Sequence, residues 1–152
     1  MGMTTESIDV EVPLHTAYNQ WTQFEEFPTF MEGVEEVRQT DERHSHWRTR
    51  IAGTEREFDT EIVDQLPDER VSWRTVGGDI RQMGTVTFER LDDGRTRIRL
   101  AVAFEPQGVA EKAADMAGLV DRRIKGDLNR FKDFIEERGV ESGGWRGRIK
   151  SV

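Results

Sequence analysis

The chain has 152 residues, enough for one domain, and its 35% hydrophobic against 34% charged composition leaves the core to a patterned minority of positions. Its formal net charge of -8 argues against the basic face that phosphate neutralisation requires, so no nucleic-acid partner is expected. It has no cysteine, which excludes disulfides, thiol nucleophiles and thiolate metal sites.

No apolar run reaches the length of a membrane span, and "MGMTTES" has neither the basic nor the apolar part of a signal peptide. These features predict a soluble cytoplasmic protein, monomeric or weakly dimeric. In chain order, "ESIDVEV" alternates Ile8, Val10 and Val12 on one side and stops at Pro13, the pattern of a strand. "LHTAYNQWTQF" then spaces Leu14, Ala17, Tyr18, Trp21 and Phe24 as a helix does. Pro28 interrupts the pattern, so "FPTFMEG" reads as a turn or a second short helix. This segment gathers Tyr18, Phe27, Phe30 and Met31 in a chain otherwise poor in aromatics, as a cover over something apolar.

From Val34 to Glu105 the period changes to two, the signature of an antiparallel sheet. Trp47, Thr49 and Ile51 share a face, as do Phe58, Thr60 and Ile62. A two-residue turn at Gly53 and Thr54 would set Arg50 opposite Glu57, Arg48 opposite Asp59 and His46 opposite Glu61. Val71 and Trp73, Val86 and Phe88, and Ile98 to Phe104 supply the inner positions of three further strands. At "DDG", a three-residue turn with Gly94 left-handed sets Phe88 against Ile98, Val86 against Leu100 and Glu89 against Arg97. The loop "VGGDIRQMG", with Ile80 and Met83, is either a gate over a pocket or an ordinary hairpin connection.

After Pro106 the chain turns helical to about Arg138, and Gly139 is placed to cap it. Ile124, Leu128, Phe131 and Ile135 form an apolar stripe along the second half of this helix. The first half offers Ala110, Ala113, Ala114, Ala117 and Gly118, with Met116, Leu119 and Val120 among them. Either the sheet packs tightly on these small residues, or space is left beneath them. With Trp47, Phe58, Trp73, Phe88 and Phe104 on the concave face and Thr49 and Thr60 as isolated hydroxyls, that space has the composition of a small-ligand pocket.

As a set, "AYNQWTQFEEFPTFMEGVEEV", "HWRTRIAGTEREFDTEI", "PDERVSWRTVGG", "GTVTFERL" and "DLNRFKDFIEERG" closely resemble the bacterial polyketide cyclase/dehydrase branch of the START/Bet v 1-like (SRPBCC) superfamily, from about Ile8 to Gly139. The resemblance implies an α+β helix-grip fold: a curved seven-stranded antiparallel sheet around a long C-terminal helix, with two short helices after the first strand and a deep hydrophobic cavity. It divides the chain into a domain of residues 1–139 and a Gly/Arg-rich tail of residues 140–152. It also implies binding, or transport, of a lipid, quinone or aromatic polyketide without a cofactor. The alternatives are a cyclase or dehydratase working in the same cavity, and a protein-interaction module.

The expected ligand-binding residues are Trp47, Thr49, Phe58, Thr60, Trp73, Phe88, Phe104, Met116 and Val120 in the pocket, with Tyr18, Phe27, Phe30, Met31 and Met83 around its entrance. No catalytic residue is nominated. Cyclases of this superfamily commonly use a pocket arginine, whereas Arg48, Arg50 and Arg74 have the outward parity here. Asp127, beside the helix stripe, reads as part of a solvated face. His44 and His46 share a strand face without a third ligand, so no metal is expected. The tail "VESGGWRGRIKSV" either folds back through Trp145 or serves as an arm for a protein partner.

Overall fold

A computed structural model of the chain describes residues 2–51, 53–78, 81–104 and 113–150, with side chains described for all of these but Gly2, Ile51 and residues 113–117. The first strand, β1 (Gly2–Val10), ends before Pro13. Pro13, extended at φ -60° and ψ 156°, leads into α1 (Leu14–Trp21). A 3-10 turn over Phe24–Thr29 follows, with Pro28 inside it. Pro28 falls in the second and last turn of this six-residue segment, where its missing N–H removes one short-range hydrogen bond.

Six strands come next: β2 (Val34–Gln39), β3 (His44–Ile51), β4 (Thr54–Leu66), β5 (Arg70–Gly78), β6 (Gln82–Asp92) and β7 (Arg95–Phe104). The sheet is antiparallel with spatial order β1-β7-β6-β5-β4-β3-β2. Each neighbour is the next hairpin strand except at β1, which pairs with β7 because α1 and the 3-10 turn carry the chain to the opposite edge. The long helix α2 (Ala113–Arg138) ends at Gly139, whose φ of 76° and N–H bond to the Ile135 carbonyl complete the cap. This is the helix-grip arrangement, with the expected strand count and element order.

Two turns differ in detail from the sequence reading. In the β3–β4 hairpin Ile51 pairs with Thr54 and Gly53 stands at φ 80°, so Arg50 faces Glu55, Arg48 faces Glu57 and His46 faces Asp59. The expected pairing is out by two residues. Because the side-chain period is also two, Trp47 still sits beside Phe58 on the inner face. In β6–β7 the expected partners Phe88 and Ile98, Val86 and Leu100, and Glu89 and Arg97 all meet. Gly94 is not left-handed, however; a bulge between Arg90 and Asp92 absorbs the extra residue. Asp92 secures the turn by accepting from the Gly94 N–H at 2.9 Å and from Arg95 Nε at 2.8 Å.

The core divides along α2. Its second half buries Ile124, Leu128, Phe131 and Ile135 against the sheet. Phe131 meets Trp21 and Phe30 edge-on, each at 5.1 Å between ring centres. The first half, from Gly118 to Val120, is only partly covered, and there the sheet and the helix separate.

Candidate functional site: an apolar cavity beneath the long helix

The inner faces of β3, β4 and β5 curve away from α2 and border a partly open cavity of about 210 Å³. Trp47, Phe58 and Trp73 wall it from the sheet, with Ile62, Val71, Leu100 and Val102 behind them. Phe24, Phe27 and Met31 close one side, and Leu119, Val120 and Ile124 form the helix side. Trp47 and Phe58, partners across the β3–β4 ladder, stack at 5.7 Å with their planes 12° apart. Trp73 lies across Gly84, where a Cβ would collide with the indole. Glycine is therefore required at position 84 for the indole to lie flat on this wall.

The polar groups are few. Trp47 Nε1 donates to Thr60 Oγ1 at 2.9 Å, which leaves the Thr60 proton available to another acceptor. Thr49 Oγ1 donates to the Arg56 carbonyl at 3.3 Å, so its proton is already used. Ser45 and Gln82 complete the sheet side. On the helix side stand Arg123 and Asp127, one turn apart on one face.

Asp127 overturns the reading of a solvated face: its side chain is 12% exposed and borders the cavity. Its Oδ1 accepts from Arg130 Nη2 at 2.5 Å and from the Glu32 N–H at 3.2 Å. Burial pushes its pKa up to about 6, although Arg130, Arg123 and the Glu32 amide all favour the ionised form. The residue lies three positions after Ile124 and one before Leu128, on the border of the apolar stripe. A cavity arginine is present as well, supplied by α2 as Arg123 rather than by a strand.

Trp47, Thr49, Phe58, Thr60, Trp73, Val120, Phe27 and Met31 thus come together around one cavity. Five other expected residues do not border it. Phe88 is turned into the core, where Tyr18 and Trp21 meet its ring at 5.4 and 6.3 Å. Tyr18 is fully buried, and its hydroxyl accepts from Gln65 Nε2 at 3.0 Å. Phe30 is consumed by packing on Phe131 and Phe134. Phe104 and Met83 line a separate groove of about 500 Å³ at the end of the sheet, and Met83 is 52% exposed. The Met116 side chain lies outside the described residues, as do Asp79 and Ile80 of the glycine-rich loop and Ala110 of the small-residue run.

On the outer face His46 has both ring nitrogens bound to carboxylates, Nδ1 to Asp59 at 2.7 Å and Nε2 to Glu57 at 2.9 Å. Those bonds, Glu57 first and Asp59 next, raise its pKa. The tail folds back onto α1 and β4. Ile149 is buried and exchanges backbone hydrogen bonds with Gln65 at 2.7 and 2.9 Å, while Trp145 packs on the core. Arg146 holds Asp68 at 2.8 Å and lies over the Tyr18 ring. No helix among the described residues is long and apolar enough to cross a membrane.

The solved structures that match share this fold. The Zhui aromatase/cyclase of a Streptomyces species superposes with a TM-score of 0.76 at 17% identity, over 94% of this chain and 98% of that one. A START superfamily protein from Mycobacterium smegmatis gives 0.70 at 15% identity, over 91% and 97%. In sequence, an uncharacterized 17.2 kDa protein from the melC2-rnhH intergenic region of Streptomyces lincolnensis is 57% identical, over 98% of this chain and 99% of that protein. Residues 10–133 match the family model described as polyketide cyclase / dehydrase and lipid transport, and the chain belongs to that family.

Proposed function

We propose that this protein binds one small aromatic ligand bearing a hydroxyl group in the cavity beneath α2. The supporting observation is the composition of that cavity: three aromatic walls, Trp47, Phe58 and Trp73, facing one carboxyl group, Asp127, on the helix. An apolar cavity of about 150 Å³ takes benzene, so this one has room for about two fused rings. Asp127 Oδ1 is already committed to Arg130 and Glu32, and its second oxygen is the acceptor left for a ligand hydroxyl.

The test is a titration of tryptophan fluorescence with 2-naphthol and with naphthalene. Both saturate one site, 2-naphthol with a Kd of about 1–100 μM for a ligand of this size. The hydroxyl makes 2-naphthol about tenfold the tighter, as expected for a hydrogen bond to a carboxylate. Absence of saturable binding by either compound refutes the proposal.

A second reading, a dehydratase or cyclase, is favoured by the same aspartate. A carboxyl group with its pKa raised to about 6 beside a mostly apolar cavity is suited to accept and return a proton near neutral pH. In loss of water from a β-hydroxy ketone, Asp127 would take the α-proton and deliver it to the departing hydroxyl. With 4-hydroxy-4-phenyl-2-butanone as probe, this reading predicts a rate that rises through about pH 6 and disappears in Asp127→Asn, while naphthalene binding persists. A rate no faster than buffer contradicts it.

A further inference from the structure

The cavity has one wall made of polar contacts. Between Phe30, anchored in the aromatic core, and Gly33, whose carbonyl accepts from the Arg50 N–H at 2.7 Å, lie only Met31 and Glu32. Met31 borders the cavity, and Glu32 faces water with its side chain 76% exposed. Both backbone groups of Glu32 are held by α2: its N–H donates to Asp127 Oδ1 at 3.2 Å, and its carbonyl accepts from Arg123 Nη1 at 2.5 Å. Arg130 Nε donates to the Phe30 carbonyl at 2.9 Å while its Nη2 holds Asp127 at 2.5 Å. Gly33, at φ 89°, is shaped for this closure, since a Cβ there would collide with Arg123 Nη1.

We propose that Met31 and Glu32 form the moving lip of the cavity mouth, and that Arg123, Asp127 and Arg130 are the latch that holds it against α2. A ligand then enters between this lip and the helix when the latch releases. The inference rests on the cavity being a ligand site and adds its route of access. On the sheet side the described wall is made of paired strands, and beside it the Phe24 and Phe27 rings are buried, so opening there exposes core. Releasing Glu32 breaks the side-chain hydrogen bonds from α2, which water replaces, while the Met31 N–H bond to the Phe27 carbonyl at 2.8 Å and the Val34 N–H bond to the Met31 carbonyl at 3.2 Å mark the two ends about which the lip swings.

The latch has a built-in dependence on pH. Asp127 is faced by Arg123 and Arg130 from its own helix and by the Glu32 amide from the lip, with the Glu32 carboxylate 3.5 Å from Arg130. Protonation removes the charge that both Arg130 and the amide address, so the lip opens more readily below about pH 6.

Arg130→Gln tests the latch without altering a residue that borders the cavity. In stopped-flow mixing with naphthalene, which makes no hydrogen bond to Asp127, association and dissociation both accelerate about tenfold, as loss of a charge-assisted bond implies, and Kd stays within about twofold. A Kd increase through dissociation alone, or unchanged rates, overturns the proposal. Amide exchange in the unaltered protein supplies an independent reading. After correction for intrinsic chemistry, protection of the Glu32 amide falls as pH drops from about 7.5 to 5, while that of the Arg50 amide, bonded to Gly33, holds. Protection of Glu32 that is insensitive to pH also overturns it. Should 2-naphthol and naphthalene both fail to bind, the ligand-site reading falls and the lip with it, whereas normal binding with unaltered rates removes the lip alone.

Discussion

Asp127 lowers the stability of the folded protein wherever it is ionised. Its carboxyl has an ordinary pKa of 3.8 and one of about 6 in the folded protein. Between these values the native state holds more protons than the unfolded chain, so this group makes stability fall as pH rises through that window. The shift corresponds to about 3 kcal/mol lost once the group is fully ionised. An asparagine in its place carries no charge and escapes this penalty. Urea titrations of the protein and of Asp127→Asn at about pH 3.5 and pH 8 should therefore show the asparagine variant gaining about 3 kcal/mol relative to the parent at the higher pH. A difference independent of pH refutes the buried, ionisable state. Gly84 is the second residue with a specific job. Gly84→Ala places a methyl group within the space of the Trp73 indole and displaces it. Trp73 emission should shift and 2-naphthol affinity fall, with little effect on the β5–β6 ladder, where alanine is tolerated. Unchanged emission and affinity would contradict the flat seating of the indole.

At the scale of elements, the tail is a strap that joins α1 to β4. It continues the sheet beyond the start of β3 through the Ile149 and Gln65 bridge, and Ser142 N–H donates to Gln20 Oε1 at 2.8 Å. Ile149→Ala should cost about 2–4 kcal/mol in chemical denaturation, the usual range for deleting a buried isoleucine side chain. A loss below about 0.5 kcal/mol, as for a surface position, would show that the strap is not docked. The sequence made the elements legible because alternation and helical spacing are properties of single segments. The β3–β4 register was less so, since Arg48 finds a carboxylate both at Glu57 and, two residues away, at Asp59. Exposed pairs of this kind differ by less than about 1 kcal/mol, too little to choose between registers by charge alone. Phe88 and Tyr18 illustrate a similar limit. Inward parity says that a side chain faces the interior, while only the position along the strand says whether it meets the cavity or the core. Asp127 was hidden for the opposite reason, because an acidic residue beside a helix stripe is ordinarily at the water boundary.

The whole molecule is a sheet and a helix joined firmly at one end and parted at the other. Leu128, Phe131 and Ile135 bind the second half of α2 to the core, and the aromatic residues of α1 and the 3-10 turn fill the space beside them. Beneath Leu119, Val120 and Ile124 the same curvature leaves a cavity. Val120→Trp should fill that space, raise or preserve the melting temperature, and abolish 2-naphthol binding. Retained binding in this variant would place the ligand elsewhere. The most direct test of the central claim is native mass spectrometry of the purified protein, alone and with a saturating two-ring aromatic alcohol, followed by extraction of whatever it carries. The account predicts a one-to-one adduct, already present on isolation or formed on addition. A bare chain mass under both conditions would contradict it.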